Sequence, residues 1–246
     1  VVAAIIALPI ILRVPLPNPE CLPYLGASVV LHWAYIGLLG KAYGTGGDLS
    51  QIYPIARGTA PLVVTVISTV VLREILPNLT VFGILLTCAG IILLSFNKGF
   101  SRQQDYRPLA LSLSAGFSIG AYTIMDGLGV RYSVDPISYI TWLFALAGIT
   151  FSLIIAFLRR KNPRKTLQYC VEHRWVILAG GIATATAYGI VIYAMYGNPM
   201  AMVSTLRETS VFMGIIIGVV ALKESFGKMR IIAAMLVIGG LSMMNL

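Results

Sequence analysis

The chain has 246 residues, of which 58% are hydrophobic and only 11% charged, with a formal net charge of +9. Soluble domains are about 45–50% apolar and about 25% charged, so a globule of this composition would lack a polar skin and lipid is the solvent that suits it. The 18 Lys and Arg sit mostly in short loops between apolar runs and form no basic face or stripe. That pattern excludes nucleic acid as a partner and points to a lipid bilayer.

A helix needs about 20 apolar residues to cross a bilayer. In chain order the sequence predicts a shortened span at 1–12 and further spans at 23–43, 50–72, 78–97, 108–130, 134–158, 175–197, 199–222 and 228–245. The run 1–12 has no basic n-region and no small-residue cleavage site before Arg13, so it reads as a span whose start is missing and not as a signal peptide. Pro15, Pro17, Pro19 and Pro23 break the chain after it, Gly44, Gly46, Gly47 and Asp48 separate the next two spans, and Pro77-Asn78 turns the third into the fourth. Residues 97–107 read as a polar, basic loop, and so do residues 159–174, with Asn162-Pro163 inside. Tyr24, Tyr43, Tyr53, Tyr132, Trp175 and Tyr196 lie near span ends, where amphipathic rings are comfortable. The pairs Gly116/Gly120 and Gly214/Gly218 suit close helix packing.

The segment 48–96 repeats at 198–246 with an offset of 150. Only eight of the 49 pairs are identical, but they include the rare charged residues Arg57/Arg207 and Glu74/Glu224, besides Thr59/Thr209 and Gly90/Gly240. Upstream, at an offset of 153, Ala34-Tyr35 meets Ala187-Tyr188. The organisation is therefore a first repeat at 1–97, a connecting loop at 98–107 and a second repeat at 108–246. The second repeat holds five spans. The expectation is an all-α membrane protein made of two five-helix halves, with about nine spans here, ten when intact, and about 40 residues missing at the N-terminus. An odd number of spans per half inverts one half against the other.

The run DLSQIYPIARGTAP from Asp48 to Pro61, the Glu74 and Glu224 turns and the five-plus-five plan resemble the EamA-type drug/metabolite transporters over the whole chain. The 48–61 run is similar to a subgroup associated with phosphonate utilisation. The resemblance implies a multi-pass protein of the plasma membrane, the inner membrane in a bacterium, that exports a metabolite.

Charge inside a span is costly and marks function by default. Arg57 and Arg207 lie about 10 and 12 Å into their spans at 1.5 Å per residue. If the halves are inverted, their Cα atoms are separated by only about 8 Å along the normal of a core about 30 Å thick. Two guanidinium groups there suit a small anionic or zwitterionic substrate, which a carboxylate or phosphonate would present bidentately. The alternative is that each arginine snorkels or pairs internally, as Arg207 would with Glu208. Asp126 ends a stripe of Ser114, Ser118 and Tyr122 at four-residue spacing, read either as a cavity wall or as interhelical hydrogen bonding. Tyr35 and Tyr188 are repeat-related and mid-span. With Tyr122 they complete the expected substrate-binding set of Arg57, Arg207, Tyr35, Tyr188, Tyr122 and Asp126. His32, one turn from Tyr35, reads as a structural hydrogen-bonder, and Glu74 and Glu224 as carboxylates favouring helix N-termini.

No HExxH, Asp-rich cluster or P-loop occurs, so catalytic residues, direct ATP drive, cofactors and a metal are not expected. Cys21, Cys88 and Cys170 are scattered, and His32 is far from His173, which gives neither a disulfide framework nor a zinc site. The competing classes are a membrane-embedded enzyme and a membrane scaffold. Oligomeric state is open, a homodimer included. If all spans cross, one side carries 13 Lys and Arg in the loops 41–49, 98–107, 159–174 and 223–230, against Arg13, Arg73 and Arg131 opposite. The positive-inside rule then places the basic loops in the cytoplasm and the C-terminus outside.

Overall fold

The computed structural model describes residues 2–45, 49–94, 106–160, 162–211, 213 and 228–244. Gly46, Gly47, Asp48, Asn97, most of the 97–107 loop, Lys161, the Gly214/Gly218 pair, Lys223 and Glu224 lie outside the described residues. Among the described residues every regular element is helical. Among these residues five helical segments have the length and apolarity to cross a membrane, at Pro19–Gly44, Ile52–Val71, Arg107–Tyr132, Pro136–Leu158 and Arg174–Met195, and shorter apolar helices occur at Val2–Ile11, Asn78–Leu93 and Ile231–Met243.

The helices are α1 Val2–Ile11, α2 Leu22–Gly44, α3 Leu49–Val66, α4 Asn78–Leu93, α5 Arg107–Tyr132, α6 Pro136–Leu158, α7 Pro163–Glu172, α8 Arg174–Met195, α9 Met200–Leu206 and α10 Lys228–Met243. Local chemistry sets their starts. Asp135 accepts from the Ser138 N–H at 2.9 Å, with Pro136 behind it, so α6 begins with a capped first turn. Pro77 and Pro199 precede α4 and α9 in extended conformation. A π-helical turn, Ile67–Val71, ends α3, and Arg73 then takes φ 56°. That left-handed step reverses the chain and brings the Glu74 N–H to the Ser68 carbonyl at 2.8 Å.

The structure departs from the sequence reading in two places. Residues 163–172 of the expected basic loop form helix α7, because Pro163 at the first helical position starts a run with no breaker in it. The expected span 199–222 is interrupted: α9 ends at Leu206, Arg207 and Glu208 form a turn, and helix resumes at Thr209. Bonds between residues three apart tighten this turn, from the Glu208 N–H to Thr205 and from the Val211 N–H to Glu208, both at 2.9 Å.

The chain forms two compact units, one of Val1–Val29 with Met125–Gly197, the other of Val30–Ile124 with Asn198–Leu246. In the first, α1 packs on α6 and α8. A Cβ on Gly148 would lie 2.5 Å from that of Ala4, so only glycine fits there. In the second, α3, α4, α9 and α10 pack together, and Gly116 of α5 sits where a Cβ would be 2.7 Å from the Ala56 carbonyl of α3. The tightest contact is α4 on α10. A Cβ on Gly83 would come within 2.5 Å of the Gly240 carbonyl, and one on Gly90 within 2.9 Å of the Ala233 carbonyl. Under the 150-residue offset Gly83 becomes Ala233 and Gly90 becomes Gly240, so the two contacts exchange. Thr87 with Gly240 and Gly90 with Val237 exchange in the same way. This is the signature of a two-fold axis between α4 and α10.

Candidate functional site

In the second unit three charged residues meet. Glu208 sits in the turn after α9 with its side chain fully buried. Arg57, midway along α3, places Nε 3.0 Å from Glu208 Oε2, and Arg207 places Nε 3.3 Å from Glu208 Oε1. The Arg57 side chain is 15% exposed and that of Arg207 10%. Arg207 Nε donates to Oε1. The Arg57 approach is an ion pair by distance only, since its Nε–H is not aligned on the oxygen. Arg57 is fixed instead by donation from Nη2 to Ser210 Oγ at 2.8 Å, and its guanidinium lies 5.8 Å from the Tyr53 ring centre. The break between α9 and the helix from Thr209 presents the carboxylate to both arginines. Two guanidinium groups thus converge on one buried carboxylate.

Two tyrosines of the expected set lie in the same unit. His32 stacks on Tyr122 with ring centres 3.9 Å apart, and Tyr35 tilts against Tyr122 at 6.0 Å. Tyr35 is within electrostatic range of Arg57, Arg207 and Glu208. Tyr35 is the member of this aromatic group that reaches the field of the charged one. Ser118 of the polar stripe donates to the Leu31 carbonyl at 2.9 Å, and Ser114 is exposed.

Asp126 and Tyr188 belong to the first unit. Asp126 is fully buried. Tyr139 Oη donates to Oδ1 at 3.0 Å, and Tyr188 Oη donates to Oδ2 at 2.5 Å. The carboxylate thus ties α5 to α6 and α8, the interhelical arrangement that the stripe allowed. Tyr139 was not singled out in the sequence. Its signal is the buried carboxylate itself, which needs donors. The groove between α1, α6 and α8 is lined mostly by apolar side chains such as Ile6, Ile10, Ile140, Phe144 and Ile190, with Thr141, Thr186 and Tyr193 among them, and no charged residue lines it.

Glu74 caps a helix, though not the one that follows it in sequence. Its carboxylate accepts from the Met200 N–H, at 3.0 Å to Oε2 and 3.4 Å to Oε1, at the start of α9. The α3–α4 turn thereby holds the short helix that delivers Arg207 and Glu208.

Comparison with known proteins gives two findings. The model of the EamA-like transporter family matches residues 107–246. One solved crystal structure, titled only as that of a protein, superposes with a TM-score of 0.76 at 18% identity, covering 100% of this chain and 85% of the other; it is similar in fold. Comparison with curated proteins finds no match.

Proposed function

The chain belongs to the EamA-like transporter family, and from that premise we propose that it carries a small anionic or zwitterionic metabolite through the region of Arg57, Arg207 and Glu208. The family makes it a multi-pass membrane transporter. The observation that supports the finer reading is the convergence of two nearly buried guanidinium groups at one carboxylate. In a low-dielectric interior two adjacent guanidinium groups favour an anion strongly. A carboxylate or phosphonate entering the cluster competes with Glu208 for the arginines, and the weakly aligned Arg57 is the one it draws away most easily. Tyr35 and Tyr122 then line the uncharged part of the substrate. Tyr188 and Asp126, hydrogen-bonded to each other in the first unit, are not ligands in this reading.

Export from the cytoplasm across the plasma membrane is the direction we propose, on the family resemblance. The test is counterflow of labelled carboxylates, phosphonates and amino acids in proteoliposomes holding the whole protein. Arg57→Gln and Arg207→Gln are expected to weaken anion affinity at least tenfold while leaving insertion intact. Unchanged affinity in both, or transport confined to cations, would overturn the reading. Accumulation in inside-out vesicles reports export.

A further inference from the structure

Helix α7 joins α6 to α8, yet none of its ten residues is buried. Leu167, Tyr169 and Val171 are 66%, 60% and 52% exposed, and Cys170 is exposed as well. The exposure is ordered. Pro163, Leu167, Cys170 and Val171 fall at i, i+4, i+7 and i+8, on one face of the helix. Lys165, Gln168 and Glu172 fall on the other, where Gln168 Nε2 donates to Glu172 Oε1 at 2.8 Å. An apolar face left in water for three turns needs a covering.

The charge around α7 says what the covering is. Arg159, Arg160, Arg164, Lys165 and Arg174 surround one acidic residue, Glu172. Two of these arginines are paired with rings at the adjoining span ends, Arg160 over Phe157 at 4.5 Å and Arg174 over Trp175 at 5.7 Å. Aromatic rings beside basic side chains are the anchors of a membrane interface. The spans α6 and α8 deliver α7 to that depth.

We propose that α7 is an in-plane interfacial helix that seats its Leu167–Cys170–Val171 face in the acyl boundary and gathers anionic lipid headgroups on its basic side chains. The helix is amphipathic, basic and low in overall hydrophobicity, the combination that lies on a bilayer and does not cross it. A second copy of this chain is a poorer occupant, because two such helices would bring like charges together. A helix held this way fixes the ends of α6 and α8 against the leaflet, and its grip depends on lipid charge. The inference does not depend on the substrate.

Cys170 provides the probe, since Cys21 and Cys88 are buried. A nitroxide on Cys170 of the whole protein is read for collisions with oxygen and with a water-soluble nickel chelate. Vesicles of phosphatidylcholine are compared with vesicles containing phosphatidylglycerol. Shielding from nickel and exposure to oxygen are expected to rise with phosphatidylglycerol and to fall in high salt. Each basic residue near an acidic leaflet is worth roughly fivefold in partitioning, so Arg164→Gln with Lys165→Gln lowers seating roughly 25-fold. The same accessibility in both vesicles would overturn the proposal. So would shielding from nickel and oxygen alike, which would mean that protein and not acyl chain covers the face. The Gln variants change only exposed residues, and transport measured alongside shows that they still fold.

Discussion

Glu208→Gln keeps the shape of the side chain and removes the charge facing Arg57 and Arg207. The carboxylate is fully buried, and the arginines are only 15% and 10% exposed. Removing one partner of a buried ion pair typically costs about 3–5 kcal/mol, because the remaining charge stays buried. Here the residual exposure lets some water reach the guanidinium groups, which argues for the lower end. For a chain of this size roughly 2–4 °C of melting temperature accompanies each kcal/mol, so a loss of about 3 kcal/mol lowers the midpoint by roughly 6–12 °C. The assay is thermal unfolding in detergent at pH 7, followed by tryptophan fluorescence. Two further expectations separate this account from simple misfolding. Adding Arg57→Gln to the variant restores part of the loss, since it removes an unbalanced cation. Millimolar amounts of a small carboxylate stabilise Glu208→Gln more than the parent, by taking the vacated position. A shift below about 1 °C, or a double variant that loses the full sum of the single effects, would refute the reasoning.

Gly83→Val forces a side chain into the Gly240 carbonyl and is expected to cost at least about 1–3 kcal/mol by parting α4 from α10; unaltered unfolding would contradict that packing. Tyr188→Phe removes a donor at 2.5 Å from the Asp126 carboxylate, with an expected loss of about 1.5–3 kcal/mol in the same assay. Arg73→Gly relieves a left-handed conformation at φ 56° and is expected to stabilise by up to about 1 kcal/mol, the one substitution here that raises the midpoint. Glu74→Gln weakens the charged cap on the Met200 N–H by about 1 kcal/mol. That loss is read as faster hydrogen exchange in α9 than in α8.

The helices most visible in the sequence are those with chemical punctuation at both ends. Pro77 before α4 and Asp135-Pro136 before α6 mark starts that the structure keeps to the residue or within two. Helix α7 was hidden by its charge. A basic segment between spans reads as a loop, and the apolar spacing of Leu167, Cys170 and Val171 is weaker than the spans on either side. The interruption at Arg207-Glu208 left no glycine or proline to find. It exists because a buried carboxylate must reach two arginines, and a side chain's tertiary partners are not written beside it. The convergence of Arg57 with Arg207 could be anticipated from depth and repeat alone. Glu208 could be foreseen as a partner of its neighbour Arg207, but its hold on Arg57, 151 positions away in sequence, could not. Asp126 announced a polar contact by lying in a span, while its partners Tyr139 and Tyr188 became evident only when α6 and α8 were placed against α5.

The exchange of contacts between α4 and α10 carries a historical and a practical meaning. Where residue pairs swap under a fixed offset, the surface is isologous, the kind that two identical subunits form about a dyad. The small residues at 83, 90, 233 and 240 each meet the requirement that the opposite helix imposes. Drift at one corner of this square is therefore constrained by the diagonal corner, as in a homodimer, although the two helices are now free to differ in sequence. Nothing in such a contact needs the peptide chain that joins its two sides. The interface has the geometry of a homodimer contact held within one chain.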